Sequence, residues 1–344
     1  MVENPPSLAD KVAFLSSPAA HAGRAVTCRE THMSYVFLTD ERVCKLKKPV
    51  RFPYLNFREI ERREWACREE LRLNRRLAPD VYLGVQPLIM SKRGLSVGGE
   101  GQVVDWLVVM RRLDEADTLE NAILSGRLTA RQVMAVASTL VDFYRHAEPV
   151  FTSPDTHLAD WRGSLNYNRR ILLDARFGLA SGLVSRIDMA QRRFLARHAE
   201  LLRRRIRKRW LRDAHGDLRP EHIWLDDRVR IIDALEFNPR LRANDPFDEV
   251  AFLDVECERL GAAWAGSMIR SRLARAFGDG VPDILFAFYR CHRATLRARL
   301  AIAHLLEPHP RTPEKWPRQC RAYLALAARD ARKLDRMLNR RGGR

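Results

Sequence analysis

The chain has 344 residues, 46% hydrophobic and 30% charged. This fits two domains or one large two-lobed domain and excludes a collagen-like or wholly disordered chain. Its formal net charge of +18 points to an anionic partner such as nucleic acid, acidic lipid or nucleotide phosphate, although 53 Arg against eight Lys is also what codon composition alone produces.

Residues 33–48 predict two short strands about a turn. MSYVFL is apolar and rich in aromatic and β-branched residues, TDER turns, and VCKLKK alternates. Pro49 and Pro53 end this region. Residues 56–77 predict a charged helix with an apolar stripe through Ile60, Cys67 and Leu71, capped by Asn56 and stopped by Pro79. VYLGVQPLIM and VVDWLVVM predict two more strands, with SKRGLSVGGEGQ as a long hairpin loop between them. No Gly-Lys-Ser/Thr and no helix start follow those glycines, so they make no phosphate loop. Residues 25–110 are expected to form a mostly β lobe with one helix, after an N-terminal extension over 1–24.

Beyond a hinge near 110–113 the pattern turns helical, at 129–147, 168–212, 247–275, 281–306 and 314–340. HIWLDDRVRIIDALEF interrupts it as a hairpin turning at Asp226-Asp227. The expected architecture is α+β: a small β-rich lobe, then a larger mainly helical lobe over 111–340 that carries the segment 215–237. The C-terminal LNRRGGR is expected to be a frayed tail.

No stretch approaches 18 consecutive apolar residues, so no membrane span is expected. The N-terminal MVENPPSLADKV lacks a basic segment followed by an apolar run, which predicts a cytoplasmic protein. The six cysteines have no metal-ligand spacing and are expected as free thiols.

The chemistry concentrates in AHGDLRPEH, residues 214–222, followed by Asp233. A tight hairpin brings its two ends together, so Asp217, His222 and Asp233 are expected to converge. Two carboxylates and a third polar group at one point suit a divalent cation and a proton acceptor, and Mg²⁺ takes one or two carboxylates plus substrate phosphates. A lone His-Gly-Asp is also a common turn. The strand–turn–strand with a second Asp at its end is what favours phosphoryl transfer.

AHGDLRPEHIWLDD…IIDALEFNPRLRANDPFDEVAFL resembles the catalytic core of the aminoglycoside phosphotransferase-like kinases, relatives of the protein kinases. ETHMSYVFLTDERVCKLKKPVRFPYLNF and EELRLNRRLAPDVYLGV resemble the small lobe of a bacterial subgroup of that family, some members of which are fused to a P-loop ATPase domain. No P-loop motif occurs here, so the kinase-like module alone is expected. The resemblance covers about residues 25–305 and implies a protein-kinase-like two-lobed fold that uses ATP and Mg²⁺ to phosphorylate a hydroxyl of a small molecule. It implies a catalytic set of Asp217, His215 and His222, with Asp217 orienting the acceptor hydroxyl and taking its proton. It implies Asp233 as metal ligand. His222 stands where the family usually has Asn, a second metal ligand. Imidazole is a poorer Mg²⁺ ligand than an amide oxygen, so His222 either ligates or hydrogen-bonds Asp217 or Asp233.

Three of the eight lysines fall within residues 45–48, and a compact ammonium suits a nucleotide phosphate. The resemblance puts the ATP-phosphate lysine on this strand. Alternation places Val43, Lys45 and Lys47 on one face. Lys45 is preferred because Val43 then covers the adenine, with Lys47 the alternative and a solvated basic strand the plain reading. The family pairs this lysine with a helix glutamate. Among Glu64, Glu69 and Glu70 we take Glu70, one turn from Leu73 and two from Leu77. The resemblance also implies that Thr31 to Ser34 loop over the phosphates through backbone N–H groups, and that Met110-Arg111-Arg112 is the hinge contacting the adenine edge.

Asp245 and Asp248 read as structural caps, and Glu236 and Asn238 as weak candidates for lining the acceptor site. The run Arg203–Arg209 reads as a solvated helix end, with an anion or RNA contact less favoured because no aromatic stacking platform is interleaved. The acceptor itself is unreadable. Two other readings remain: a nucleotide-binding pseudokinase or interaction module, and a basic nucleic-acid-binding protein.

Overall fold

The computed structural model describes residues 5–52, 55–278, 280–307, 310 and 312–339. The chain divides into two compact units, residues 1–118 with 222–242, and residues 119–221 with 243–344.

The first unit is built on an antiparallel sheet of six strands: β1 (Thr27–Glu30), β2 (Ser34–Leu38), β3 (Arg42–Lys47), β6 (Tyr82–Ser91), β7 (Gly94–Val97) and β8 (Gln102–Arg111), ordered β1-β2-β3-β8-β6-β7. A short ribbon, β4 (Arg51–Phe52) with β5 (Leu55–Asn56), follows β3. Helix α2 (Ile60–Asn74) packs on β8 and β6. The alternation of β3 sends Cys44 and Leu46 into one apolar cluster with Phe37, Leu88, Leu107 and Val109. Val43 joins a second, with Cys67, Tyr82, Val108 and Met110. Helix α1 (Leu8–Leu15) closes the first cluster through the fully buried Leu15. Lys11 on that helix hydrogen-bonds Asp105 at 2.8 Å and the Val104 carbonyl at 2.7 Å, and Arg63 of α2 takes the same carboxylate in a fork. The ribbon β10 (Ile223–Leu225) and β11 (Val229–Ile231) belongs to this unit, with its turn at Asp226-Asp227 fixed by Arg230, which bonds both aspartates. The short α7 (Pro239–Arg242) ends the unit.

The second unit is helical: α3 (Leu119–Leu124), α4 (Ala130–His146), α5 (Pro154–Leu172), α6 (Ser181–Arg207), α8 (Pro246–Arg259), α9 (Ala263–Phe277), α10 (Asp283–Ala303) and α11 (Lys315–Asn339). Strand β9 (Arg212–Asp213) pairs with β12 (Ala243–Asn244). Caps set the starts: Thr129 makes a capping box with Gln132, Ser153 precedes Pro154, and Asp245 precedes Pro246 and accepts from the Phe247 N–H. Helix α10 is central. It packs on α5, α6, α8 and α11, and most of its residues are buried.

Several sequence expectations need correction. Asn56 is not the cap of α2, since it lies in β5 and its side chain accepts from Arg58; Glu59 holds the cap position. The helix stops at Asn74, five residues before Pro79. Its buried face carries Ala66, Cys67, Glu70 and Leu73, while Ile60 and Leu71 are half-buried. The long glycine-rich loop contains β7, and β1 escaped notice because all four of its residues are exposed. The single helix expected over 168–212 is two helices, α5 beginning at Pro154 and α6 ending at Arg207. Helices α8 and α9 are likewise separated, at Gly261, whose φ of +98° suits glycine. Pro53 and all but the first two residues of the C-terminal LNRRGGR lie outside the described residues. None of the described helices is long and apolar enough to cross a membrane.

Candidate functional site

Two charged centres contain the residues singled out from sequence. In the sheet unit, the Lys45 ammonium donates to Glu70 Oε1 at 2.9 Å and to Asp233 Oδ1 at 3.0 Å. Lys47, two residues on and on the same face, donates to Glu70 Oε2 at 2.6 Å and also bonds Glu236. Glu70 therefore bridges both lysines, and its side chain is 1% exposed. The other two candidate glutamates face outward with nearby arginines, Glu69 with Arg72 and Glu64 with Arg68. Burial disfavours both ammonium groups, yet the facing carboxylates outweigh it and hold Lys45 and Lys47 above the ordinary lysine value. Burial likewise raises the Glu70 pKa, and the two lysines reverse that and hold it below the usual carboxylate range.

Ribbon β10–β11 brings His222 to Asp233. Ile223 pairs with Ile231, the Ile232 N–H donates to the His222 carbonyl, and His222 Nε2 stands 3.6 Å from Asp233 Oδ2. Asp233 has φ of +65°, a left-handed conformation uncommon outside glycine. Its neighbours brace it: the Tyr82 hydroxyl accepts from the Asp233 N–H, and Asn74 Oδ1 accepts from the Ala234 N–H. The result is a half-exposed carboxylate fixed beside an ammonium. Val43, Met110 and Ile232 meet in the apolar cluster on the same face of the sheet.

Asp233 presents a half-exposed carboxylate beside the Lys45 ammonium. Among the described residues no group of three His, Cys, Asp or Glu is placed to hold a metal. Mg²⁺ keeps several waters and takes substrate phosphate oxygens beside one or two carboxylates, so Asp233 fits the chemistry of a Mg-nucleotide. His222 is a poorer donor to that ion and lies in contact distance of Asp233.

In the helical unit, the His215-Gly216 turn is gripped by one carboxylate. Glu249, in the first turn of α8, accepts from the His215 N–H at 3.2 Å, the Gly216 N–H at 2.6 Å and the Tyr144 hydroxyl at 2.7 Å. His215 Nδ1 accepts from the Asp217 N–H at 3.3 Å, so His215 shapes the turn that presents Asp217. Asp217 receives Arg219 through two nitrogens, at 3.0 and 2.9 Å, and Arg219 also reaches Glu221 at 2.5 Å. Burial works against the Arg219 cation, but Asp217 and Glu221 hold its pKa above the ordinary value.

Two expected backbone contacts are altered by the fold. The amides of Thr31 and Ser34 are used within their own turn, by the Ser34 carbonyl at 2.8 Å and the Thr31 hydroxyl at 3.0 Å. A phosphate at either of these two amides would displace the bond it makes. Met110 is buried within β8, and the Arg111 and Arg112 N–H groups donate to the carbonyls of Val81 and Glu41, so neither is available to a base edge. The run Arg203–Arg209 is not uniformly solvated. Arg205 is buried, bonds Asp245 at 2.9 Å and stacks on Trp210 at 4.0 Å.

Sequence reasoning passed over Tyr82, Asn74 and Glu249, and it mentioned Glu236 only as a possible acceptor contact. The signal for Glu236 was present: two lysines on one strand face need more than one carboxylate, and Glu236 follows Asp233 by three residues.

The fold is the two-lobed protein-kinase-like fold. It is shared with a choline/ethanolamine kinase family protein from Mesorhizobium loti (15% identity, TM-score 0.51, 95% of this chain and 100% of that one). It is shared also with a choline kinase from Cryptosporidium parvum (10%, TM-score 0.52, 94% and 92%) and an ethanolamine kinase from Plasmodium vivax (10%, TM-score 0.51, 94% and 89%). Among curated proteins, an uncharacterized protein of Mycobacterium tuberculosis and one of Mycobacterium bovis are each 31% identical over 291 residues, 83% of this chain. The chain spans 56% of the length of those relatives. No family model matches the sequence.

Proposed function

We propose that the chain is a phosphotransferase of the aminoglycoside phosphotransferase-like class, moving the γ-phosphoryl of ATP, with Mg²⁺, to a hydroxyl of a small molecule. The observation that carries this reading is the Lys45 ammonium held between the buried Glu70 and the half-exposed Asp233. In this reading Lys45 neutralises nucleotide phosphate, Glu70 orients Lys45, and Asp233 holds the metal that accompanies the nucleotide. Asp217 orients the acceptor hydroxyl and receives its proton, while Glu249 and His215 keep the Asp217 turn in shape. Mg²⁺ supplies charge neutralisation on the phosphates. Neighbours of the same fold act on choline and ethanolamine, both small alcohols, which supports a small-molecule acceptor.

The test is thermal stability with and without Mg-ATP, followed by transfer of labelled γ-phosphate to a panel of small alcohols. Binding to the folded state alone raises the melting temperature. Asp233→Ala should lose that rise. Asp217→Ala should keep it and lose transfer, and retained transfer would sink the role given to Asp217. One alternative has its own support: the resemblance puts His222 where that family usually has Asn, and Arg219 bonds Asp217. A nucleotide-binding pseudokinase would show the Mg-ATP rise with no transfer to any acceptor. No rise at all would favour an anionic macromolecular partner such as RNA, with steep salt dependence.

A further inference from the structure

Inside the helical unit, α5, α6 and α10 meet on a small closed hollow. Asn168 of α5, Gln191 of α6 and Thr295 of α10 line it, with Leu165, Leu172 and Val184 as apolar wall. Its volume is about 10 Å³, the room of one water-sized sphere. Asn168 is 2% exposed and Gln191 1%. Each of these amides has one half committed. The Arg299 Nε–H donates to Asn168 Oδ1 at 2.8 Å, and a guanidinium only donates, so the Asn168 amide has one orientation. Gln191 Nε2 donates to the Ile187 carbonyl at 3.2 Å, and a carbonyl only accepts, so the Gln191 amide is fixed as well. The remaining halves are Asn168 Nδ2, a donor, and Gln191 Oε1, an acceptor. Both atoms are buried, and no described residue pairs with either.

A buried amide group without a partner loses its hydration with no return, so native interiors pair such groups with protein or with ordered water. The chemistry of the lining selects the occupant. A cation would meet the hydrogens of Asn168 Nδ2. An anion would meet the lone pairs of Gln191 Oε1. A hydrocarbon would satisfy neither. Asp188, also in the lining, is already paired with Arg169 and Arg192 and leaves no charge to balance. Thr295 spends its hydroxyl hydrogen on the Cys291 carbonyl at 2.7 Å, which leaves its oxygen an acceptor. We propose that this hollow is the binding site of a single internal water. It accepts from Asn168 Nδ2 and donates to Gln191 Oε1, tying α5 to α6, and its second hydrogen is available to Thr295 Oγ1. Buried waters make about three such bonds. None of Lys45, Glu70, Asp217 and Asp233 lines the hollow, so the site stands apart from the phosphotransfer reading.

The test uses the full chain and two measurements. A crystal structure should show one ordered water at hydrogen-bond distance, about 3 Å, from both Asn168 Nδ2 and Gln191 Oε1. In solution, oxygen-17 magnetic relaxation dispersion counts the waters held for longer than the protein takes to tumble. Gln191→Met is nearly isosteric and should hold one such water fewer than the wild type. Asn168→Leu should lose the same one. The double variant should also lose one and not two, because the two amides share it. An unchanged count in the single variants, or a loss of two in the double variant, would overturn the proposal. So would electron density that shows the hollow empty or the two amides bonded to protein instead. Where a variant does not fold, the wild-type density decides alone. Neither measurement depends on whether the chain binds Mg-ATP, so a failure here leaves the phosphotransfer reading standing, and a failure there leaves this one.

Discussion

Glu70 is one carboxylate serving two ammonium groups. Glu70→Gln leaves Lys45 with Asp233 and Lys47 with Glu236, so each cation keeps one partner. Breaking a buried pair costs about 3–5 kcal/mol when a charge is stranded, and the surviving partners place the expected loss near the lower end, about 3 kcal/mol. Glu69→Gln, on an exposed pair with Arg72, should cost less than about 1 kcal/mol. Urea unfolding of the two variants separates them, and equal effects would contradict the network. The pH dependence follows from the directions of the shifts. The Glu70 pKa is lowered on folding, so its contribution is complete above the unfolded carboxyl value of about 4.3 and fades as pH falls through its lower folded value. Lys45 and Lys47 are raised, so their contribution is complete below about 10.4 and fades as pH climbs through their folded values. The share of the melting temperature that comes from this network should therefore be constant between about pH 5 and 10. In melting temperature plotted against pH, Glu70→Gln should make the acid limb shallower, and an acid limb of undiminished depth would remove Glu70 from this role.

At the scale of elements, two helix glycines give opposite expectations. A Cβ on Gly266 of α9 would lie 1.9 Å from Asp254 Oδ1 and 2.7 Å from Asp254 Cα, in the contact between α9 and α8. Asp254 is pinned there by Arg290, so it has little room to give. Gly266→Ala should cost about 1–3 kcal/mol by overpacking. Gly163 of α5 faces open space, and Gly163→Ala should gain roughly 0.5–1 kcal/mol from helix propensity. Calorimetric melting of the pair checks both signs. The same scale explains what was legible in the sequence. Strands β2 and β3, helix α2 and the β10–β11 ribbon carry strong periodicity or clear turn residues, and the face shared by Lys45 and Lys47 follows from strand alternation. Strand β1 carries no such signal, because an edge strand with all four residues exposed has no buried face to pattern. Strand β7 lies among glycines and holds four half-buried residues. The hydrogen bonds that consume the amides of Thr31, Ser34, Arg111 and Arg112 depend on turns and register that residue types alone do not specify.

Across the whole molecule, the basic composition is partly absorbed inside. Arg63, Arg205, Arg290 and Arg293 are buried against carboxylates. Counting charges in the sequence could not separate these interior arginines from a basic surface. Thiols offer a readout of how completely the fold covers its interior. Five of the six cysteines are buried, and Cys28 on β1 is exposed. Burial pushes the Cys44 thiol up to about 11 and those of Cys67 and Cys320 up to about 12, and it raises Cys257 and Cys291 as well. The thiolate is the reacting form, so these five are protected by access and by ionisation together. The native protein should react with one equivalent of Ellman's reagent quickly at pH 8, and Cys28→Ser should abolish that phase. The remaining five should react at rates set by opening of the structure, rising with urea in step with the loss of native signal. If a second thiol reacts quickly in native buffer, one of the two units is opening locally, and the identity of the labelled cysteine names which: Cys44 or Cys67 for the sheet unit, Cys257, Cys291 or Cys320 for the helical one.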